Sequence, residues 1–162
     1  MALLPIKKFG DPVLREKCKR VPSISKSIQT LIDDMIETMV ENYGAGLAAP
    51  QVGKTLRVVV IQTPEIKPFA LINPQIVKRS GERVVDEGCL SFPGYRGTIK
   101  RSEKVVAKAL DREGKEIRIK ADDFLAQALE HEIDHLNGVL YIDYLESQDD
   151  LYKLSPDEYT EL

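Results

Sequence analysis

The sequence predicts an α+β fold: mainly antiparallel sheets and loops packed around a central C-terminal His-Glu-x-x-His helix, with a second helix near the N-terminus. Two segments, 28–40 and 124–136, repeat apolar residues at helical spacing. Between them lie several short β-branched runs separated by proline and glycine punctuation. Strands that follow one another in short hairpins, instead of alternating with helices, favour antiparallel over parallel pairing. At 162 residues the chain can bury a core without disulfide staples. No repeat or linker divides it, so residues 1–162 are expected to form a single domain ending in an acidic tail at 146–162.

Each element has a local reason. Asp11-Pro12 marks a turn, with Pro12 suited to open a short helical turn. Ser25 or Ser27 can cap the first helix, and Ile28, Leu31, Ile32, Met35, Ile36, Met39 and Val40 form its apolar stripe. Asn42-Tyr43-Gly44 ends it. The following Gly44-Ala45-Gly46-Leu47-Ala48-Ala49-Pro50-Gln51-Val52-Gly53 reads as a loop of small residues, open to close approach by another chain. It lacks the spacing and the lysine of a phosphate-binding loop. Residues 56–61 form a nearly continuous β-branched run, hence a buried strand. Short strands are expected near 70–72, 75–78 and 82–85, then a hairpin from 102–110 and 116–120 around the turn at 111–115. Asp122 or Asp123 caps the second helix, and Asn137-Gly138 closes it.

Composition excludes several classes. A net charge of −3 offers no basic excess to neutralise phosphates, so no nucleic-acid specificity is expected. No apolar run reaches about 18 residues, so no membrane span is expected. The N-terminus lacks the features of a secretory signal. Two cysteines, Cys18 and Cys89, are too few for a secreted disulfide scaffold, which favours the cytoplasm. A monomer is expected.

Chemistry concentrates in the second helix. Both histidines of the chain, His131 and His135, lie there four residues apart, so their imidazoles stack one turn above the other. Two adjacent corners of a metal polyhedron require that arrangement. On the helical wheel Gln127, Glu130 and Asp134 share a polar face. Glu132 instead falls inside the apolar arc, where a carboxylate is costly unless a cation or an open cleft accompanies it. A metal site fits both features better than two core histidines do. The third ligand is Cys89, Cys18 or a carboxylate. Cys89 follows Gly88 at the end of a strand and would leave a fourth position open for catalysis. Cys18 as an additional ligand would close the site as a structural one.

Three stretches together resemble peptide deformylases: Gly44-Ala45-Gly46-Leu47-Ala48-Ala49-Pro50-Gln51, Glu87-Gly88-Cys89-Leu90-Ser91 and His131-Glu132-Ile133-Asp134-His135. Their order and separations also fit, over about the first 145 residues. One departure is Ala45, where the family more often carries Ile or Val; it should widen one wall of the side-chain pocket. The resemblance implies removal of the formyl group from the N-terminal formyl-methionine of nascent polypeptides. It also implies one divalent metal per chain, Fe2+ in the cell, with Zn2+, Ni2+ or Co2+ able to occupy the site. His₂Cys ligation by itself does not separate zinc from iron. Cys89, His131 and His135 would hold the metal, and Glu132 would be the acid–base for the attacking water. The Gln51 amide and the Leu90 N–H would receive the charge developing on the formyl oxygen. The peptide would add as a strand near Gly46, with the methionine side chain among Ala45, Val85, Phe124, Ala128 and His131. Glu87 and Arg96 match positions that brace the second motif and touch the peptide; the alternative for them is a local ion pair. Asp134 is expected to support structure. A transient ribosome contact is compatible with this activity, but the acidic tail has the wrong sign for RNA, so such a contact would lie elsewhere.

Overall fold

The computed structural model describes residues 2–154. The N-terminal stripe forms α1 (Lys26–Glu41), whose first turn is capped by Ser25 Oγ accepting from the Ile28 N–H at 3.4 Å. It ends at Asn42, after which Tyr43 takes a left-handed φ of 57°. The strands are β1 (Gly46–Ala48), β2 (Val58–Thr63), β3 (Ile66–Ser80), β4 (Arg83–Cys89), β5 (Phe92–Arg101), β6 (Lys104–Leu110), β7 (Glu116–Asp122) and β8 (Leu151–Lys153). The second helix, α2 (Asp123–Leu136), follows β7 directly. Every ladder between these strands is antiparallel, in one sheet of order β1-β2-β3-β6-β7 and another of order β4-β5-β8.

Alternation along β2 explains why its β-branched run is continuous. Val58 and Val60 pack with Ala70 and Ile72 against α1, while Val59 and Ile61 join Leu71 against α2. The larger sheet is therefore covered on both faces in its first half, and β2 has no solvent side. The opposite flank of α2 meets the smaller sheet. Every residue from Ala126 to Leu136 is consequently buried, including the face that the wheel assigned to solvent.

Several boundaries differ from the sequence reading. The separate strands expected at 70–72 and 75–78 are one long strand, β3, whose pairing shifts register between Ile72 and Gln75. Asn73, with φ 53°, forms that irregularity; its side chain accepts from the Val21 N–H and donates to the Val21 carbonyl at 2.8 and 2.9 Å. Pro74 is tolerated because the ladder is already interrupted there. The strand expected at 82–85 runs on to Cys89 because β5, unmarked by any clear alternation, supplies its partner. Residues 46–48, expected in a loop, pair with β2 as an edge strand. The tail expected at 146–162 lies partly outside the described residues; its described portion includes β8, paired with Tyr95, Arg96 and Gly97 of β5.

Candidate metal centre and active site

The end of β4 and the middle of α2 converge. His131 and His135 stand with ring centroids 5.0 Å apart, and Cys89 Sγ lies 3.4 Å from His135 Nε2. One ligand atom from each of the three residues lies within 4.8 Å of the others, and all three residues are buried. A tetrahedral ion with ordinary metal–sulfur and metal–nitrogen lengths separates S and N by about 3.6 Å. The His131 Nε2, the His135 Nδ1 and both oxygens of Glu132 are buried without a hydrogen-bond partner. One thiol and two imidazoles turned toward one another, with unpaired buried polar atoms beside them, form a donor set that fits a metal. Cys18 is not among them; it packs in the apolar cluster between the larger sheet and α2.

His131 is held from behind. Its Nδ1 meets Glu87 Oε1 at 2.7 Å, which directs Nε2 toward Cys89 and Glu132. Glu87 is itself clamped by Arg101, Nε to Oε2 at 2.6 Å and Nη2 to Oε1 at 2.8 Å. Burial alone would raise the Glu87 carboxyl, but Arg101 and His131 hold it down at about 2. Arg101 also donates to Asp134 Oδ2 at 2.7 Å, and Tyr144 donates to the same oxygen at 2.9 Å. Nearby, Glu130 accepts from the Ser102 N–H and hydroxyl and pairs with Arg79. The polar side of α2 is thus satisfied by Arg79 of β3, Arg101 of β5, Ser102 and Tyr144, not by water.

Glu132 is the group left over. It is 0% exposed, and burial pushes its carboxyl up to about 7 against the opposing pull of His131. One oxygen stands 4.0 Å from His131 Nε2. A Cβ built on Gly46 would sit 2.7 Å from the Glu132 carboxyl carbon, so only glycine lets β1 cross here. Gln51 lies on the other side of Cys89. Its Oε1 accepts from the Ala48 N–H at 2.9 Å, while Nε2 donates to Ser91 Oγ at 3.0 Å and approaches Cys89 Sγ at 3.5 Å. The N-terminal segment straps the adjacent turn, with Lys8 Nζ donating to the Leu90 carbonyl and the Phe9 N–H to Ser91 O.

The polypeptide deformylase family model matches residues 3–150. The chain belongs to the polypeptide deformylase family. Members are metal-dependent enzymes that remove the formyl group from the N-terminal formyl-methionine of newly made polypeptides, and this chain is one of those hydrolases. A peptide deformylase of Dehalococcoides mccartyi (strain CBDB1) is 59% identical over 159 residues, covering 98% of this chain and 95% of the relative. Among solved structures, a peptide deformylase from Legionella pneumophila is 45% identical with a TM-score of 0.87, covering 91% and 88% of the two chains. One from Ehrlichia chaffeensis in complex with actinonin is 41% identical with a TM-score of 0.89, covering 93% and 92%.

The remaining residues singled out in the sequence surround this deformylase site. Glu87, expected to brace the second motif and touch the peptide or else to form a local ion pair, is fully buried, with its oxygens engaged by Arg101 and His131. Arg96 pairs with Asp86 at 2.8 Å and also donates to the Asp86 carbonyl. Val85 and Ala128 are buried, Ala45 is half-buried, and Phe124, 38% exposed, stands in the first turn of α2. Arg101, Ser91 and Tyr141, whose ring stacks near His131 at 6.3 Å, escaped the sequence reading. Ser91 could have been found, because it closes the Glu-Gly-Cys-Leu-Ser motif. Arg101 carries no local signal: it is one arginine at the end of a strand.

Proposed function

We propose that Cys89, His131 and His135 hold the metal of this deformylase, that Glu132 moves the proton, and that Gln51 with the Leu90 N–H receives the oxyanion. The observation that carries this reading is the Glu132 carboxylate, wholly buried, without a hydrogen-bond partner and pressed against Gly46 beside the free Nε2 of His131. A bound divalent ion would act there as a Lewis acid on water and on the formyl carbonyl. Glu132 takes a proton from the attacking water as the new C–O bond forms. It then returns that proton to the amine nitrogen as the C–N bond breaks, so formate and a free N-terminus leave. With Oε1 tied to the Ala48 N–H, the Gln51 amino group, held beside Cys89 by Ser91 Oγ, is the end of the amide that would meet the reacting carbonyl.

The substrate peptide adds along the free edge of β1 near Gly46, and Ala45, Val85, Phe124 and Ala128 line the methionine pocket. The edge position of β1 in its sheet supports strand addition. Fe2+ is the metal proposed for the cell, with Zn2+, Ni2+ or Co2+ as substitutes. The deformylase unit is proposed to be the whole chain, acting in the cytoplasm as a monomer on nascent peptides. No helix among the described residues is long and apolar enough to cross a membrane.

Formate release from formyl-Met-Ala-Ser, with acetylated and unblocked controls, tests the assignment. Release should survive Cys18→Ser and vanish in Glu132→Ala, with no release of acetate from the acetyl peptide. Release that persists in Glu132→Ala would refute the role given to that carboxylate.

A further inference from the structure

The net charge of −3 conceals a strong asymmetry. α1 covers its face of the larger sheet only as far as Ile72 and Leu110. Beyond that point the same face of β3, β6 and β7 is uncovered. Its alternate positions are cationic: Lys104 and Lys108 on β6, Arg118 and Lys120 on β7, and Lys78 on β3. Val106 pairs with Lys78 on one side and Lys120 on the other, so two of these cations flank a small, half-buried side chain in one row. The acids on this face are Glu116, which pairs with Lys108 at 2.9 Å, and Asp122, opposite Lys104. No ion pair engages Lys78, Lys104 or Lys120 among the described residues. Lys78, Ser80, Lys104 and Lys120, with Asp122 as the one acid, line a depression of about 410 Å³. The neighbouring surface has the opposite sign, since α1 carries Asp33, Asp34, Glu37 and Glu41.

We propose that this uncovered face of β3, β6 and β7 binds the phosphodiester backbone of structured RNA, in a sequence-independent way. The inference rests on the reading that the enzyme works on newly made polypeptides, which emerge from an RNA-rich particle. Positions two apart on a strand are about 6.8 Å apart and neighbouring strands about 4.8 Å, so the cations form a flat, rigid grid. Such a grid fits a line of phosphates, and the face offers no base-reading helix or aromatic platform. An anionic bilayer is the lesser fit. Of the exposed large apolar side chains among the described residues, only Ile66 and Val77 lie on these three strands, Ile66 at the far end of β3 and Val77 at a bulge, too few to insert among acyl chains. The acidic α1 confines the footprint to the three strands.

The test uses the full, metal-loaded chain and a fluorescent RNA duplex of about 20 base pairs, in two unrelated sequences. Phosphatidylserine vesicles serve as the competing anionic surface. K104Q/R118Q/K120Q is compared with K26Q/K54Q/K67Q, which removes equal charge from exposed lysines elsewhere. Wild type and control should bind both duplexes alike. Affinity should fall about 40-fold between about 50 and 200 mM salt if roughly three phosphates are neutralised. The face variant should bind about tenfold more weakly or worse, while its formate release from formyl-Met-Ala-Ser stays at the wild-type rate. Equal binding by the face and control variants, no binding by wild type at low salt, or a preference for vesicles over RNA would each overturn the proposal. Free-peptide turnover reads the deformylase assignment separately, so failure of one does not mimic failure of the other.

Discussion

Replacing Arg101 with methionine, which preserves its apolar stem, isolates the network behind His131. Arg101 makes three short charge-assisted bonds, two to Glu87 and one to Asp134, with the guanidinium and the Glu87 carboxylate almost wholly enclosed. Removing one partner of a buried ion pair strands the other charge and costs about 3–5 kcal/mol. For a domain of this length each kcal/mol lowers the melting temperature by roughly 2–4 °C, so a loss of about 6–20 °C is expected. Glu87 would also lose the partner that fixes its orientation toward His131, and metal affinity should fall about 10–100-fold. Thermal melts of the metal-free protein read the first effect, and competition with a chelator reads the second. Combining Arg101→Met with Glu87→Gln should cost less than the sum of the single changes, because the stranded carboxylate has gone. A melting temperature within about 2 °C of wild type, with unchanged metal affinity, would refute the reasoning.

Gln51→Ala should lower kcat by about 10²–10³, the scale of one lost oxyanion donor, with a smaller effect on KM; steady-state kinetics on a formylated tripeptide decide it. Gly46→Ala forces a methyl group onto the Glu132 carboxylate, so turnover should collapse while peptide binding and the melting temperature change less. Cys18 gives a pH signature. Burial raises its thiol to about 11 from the ordinary 9.0, so above pH 9 the unfolded chain sheds this proton before the folded one does. Stability must then decline as pH rises from about 9 to 11, and Cys18→Ala should flatten that part of the urea-denaturation profile.

How much of this was legible in the chain depended on whether the signal was local. Helical periodicity marked both helices to within two residues, because burial on one side imposes a 3.6-residue pattern. The three motifs marked the histidines, Glu132, Cys89 and Gln51 because each needs its neighbours in sequence to reach its place. β3 read as fragments because Asn73 and Pro74 look like a turn; only the bridge from Asn73 to Val21 turns them into a bulge within one strand. The polar side of α2 read as solvent-facing because its partners, Arg101 at the end of β5 and Ser102 just beyond it, lie far from it in sequence. The basic face went unseen because its cations alternate with apolar residues along separate strands and form a patch only when the strands are paired.

By itself, then, the sequence determined the fold class and the two periodic helices, with His131 and His135 one turn apart on the second, all of which rest on spacing along the chain. Tertiary structure alone decided that Glu87 braces His131, that Arg101 neutralises two buried carboxylates, and that Gly46 presses on Glu132. Each of these is a contact between residues far apart in sequence. Its energy comes from excluding water around charges that the linear chain keeps separate.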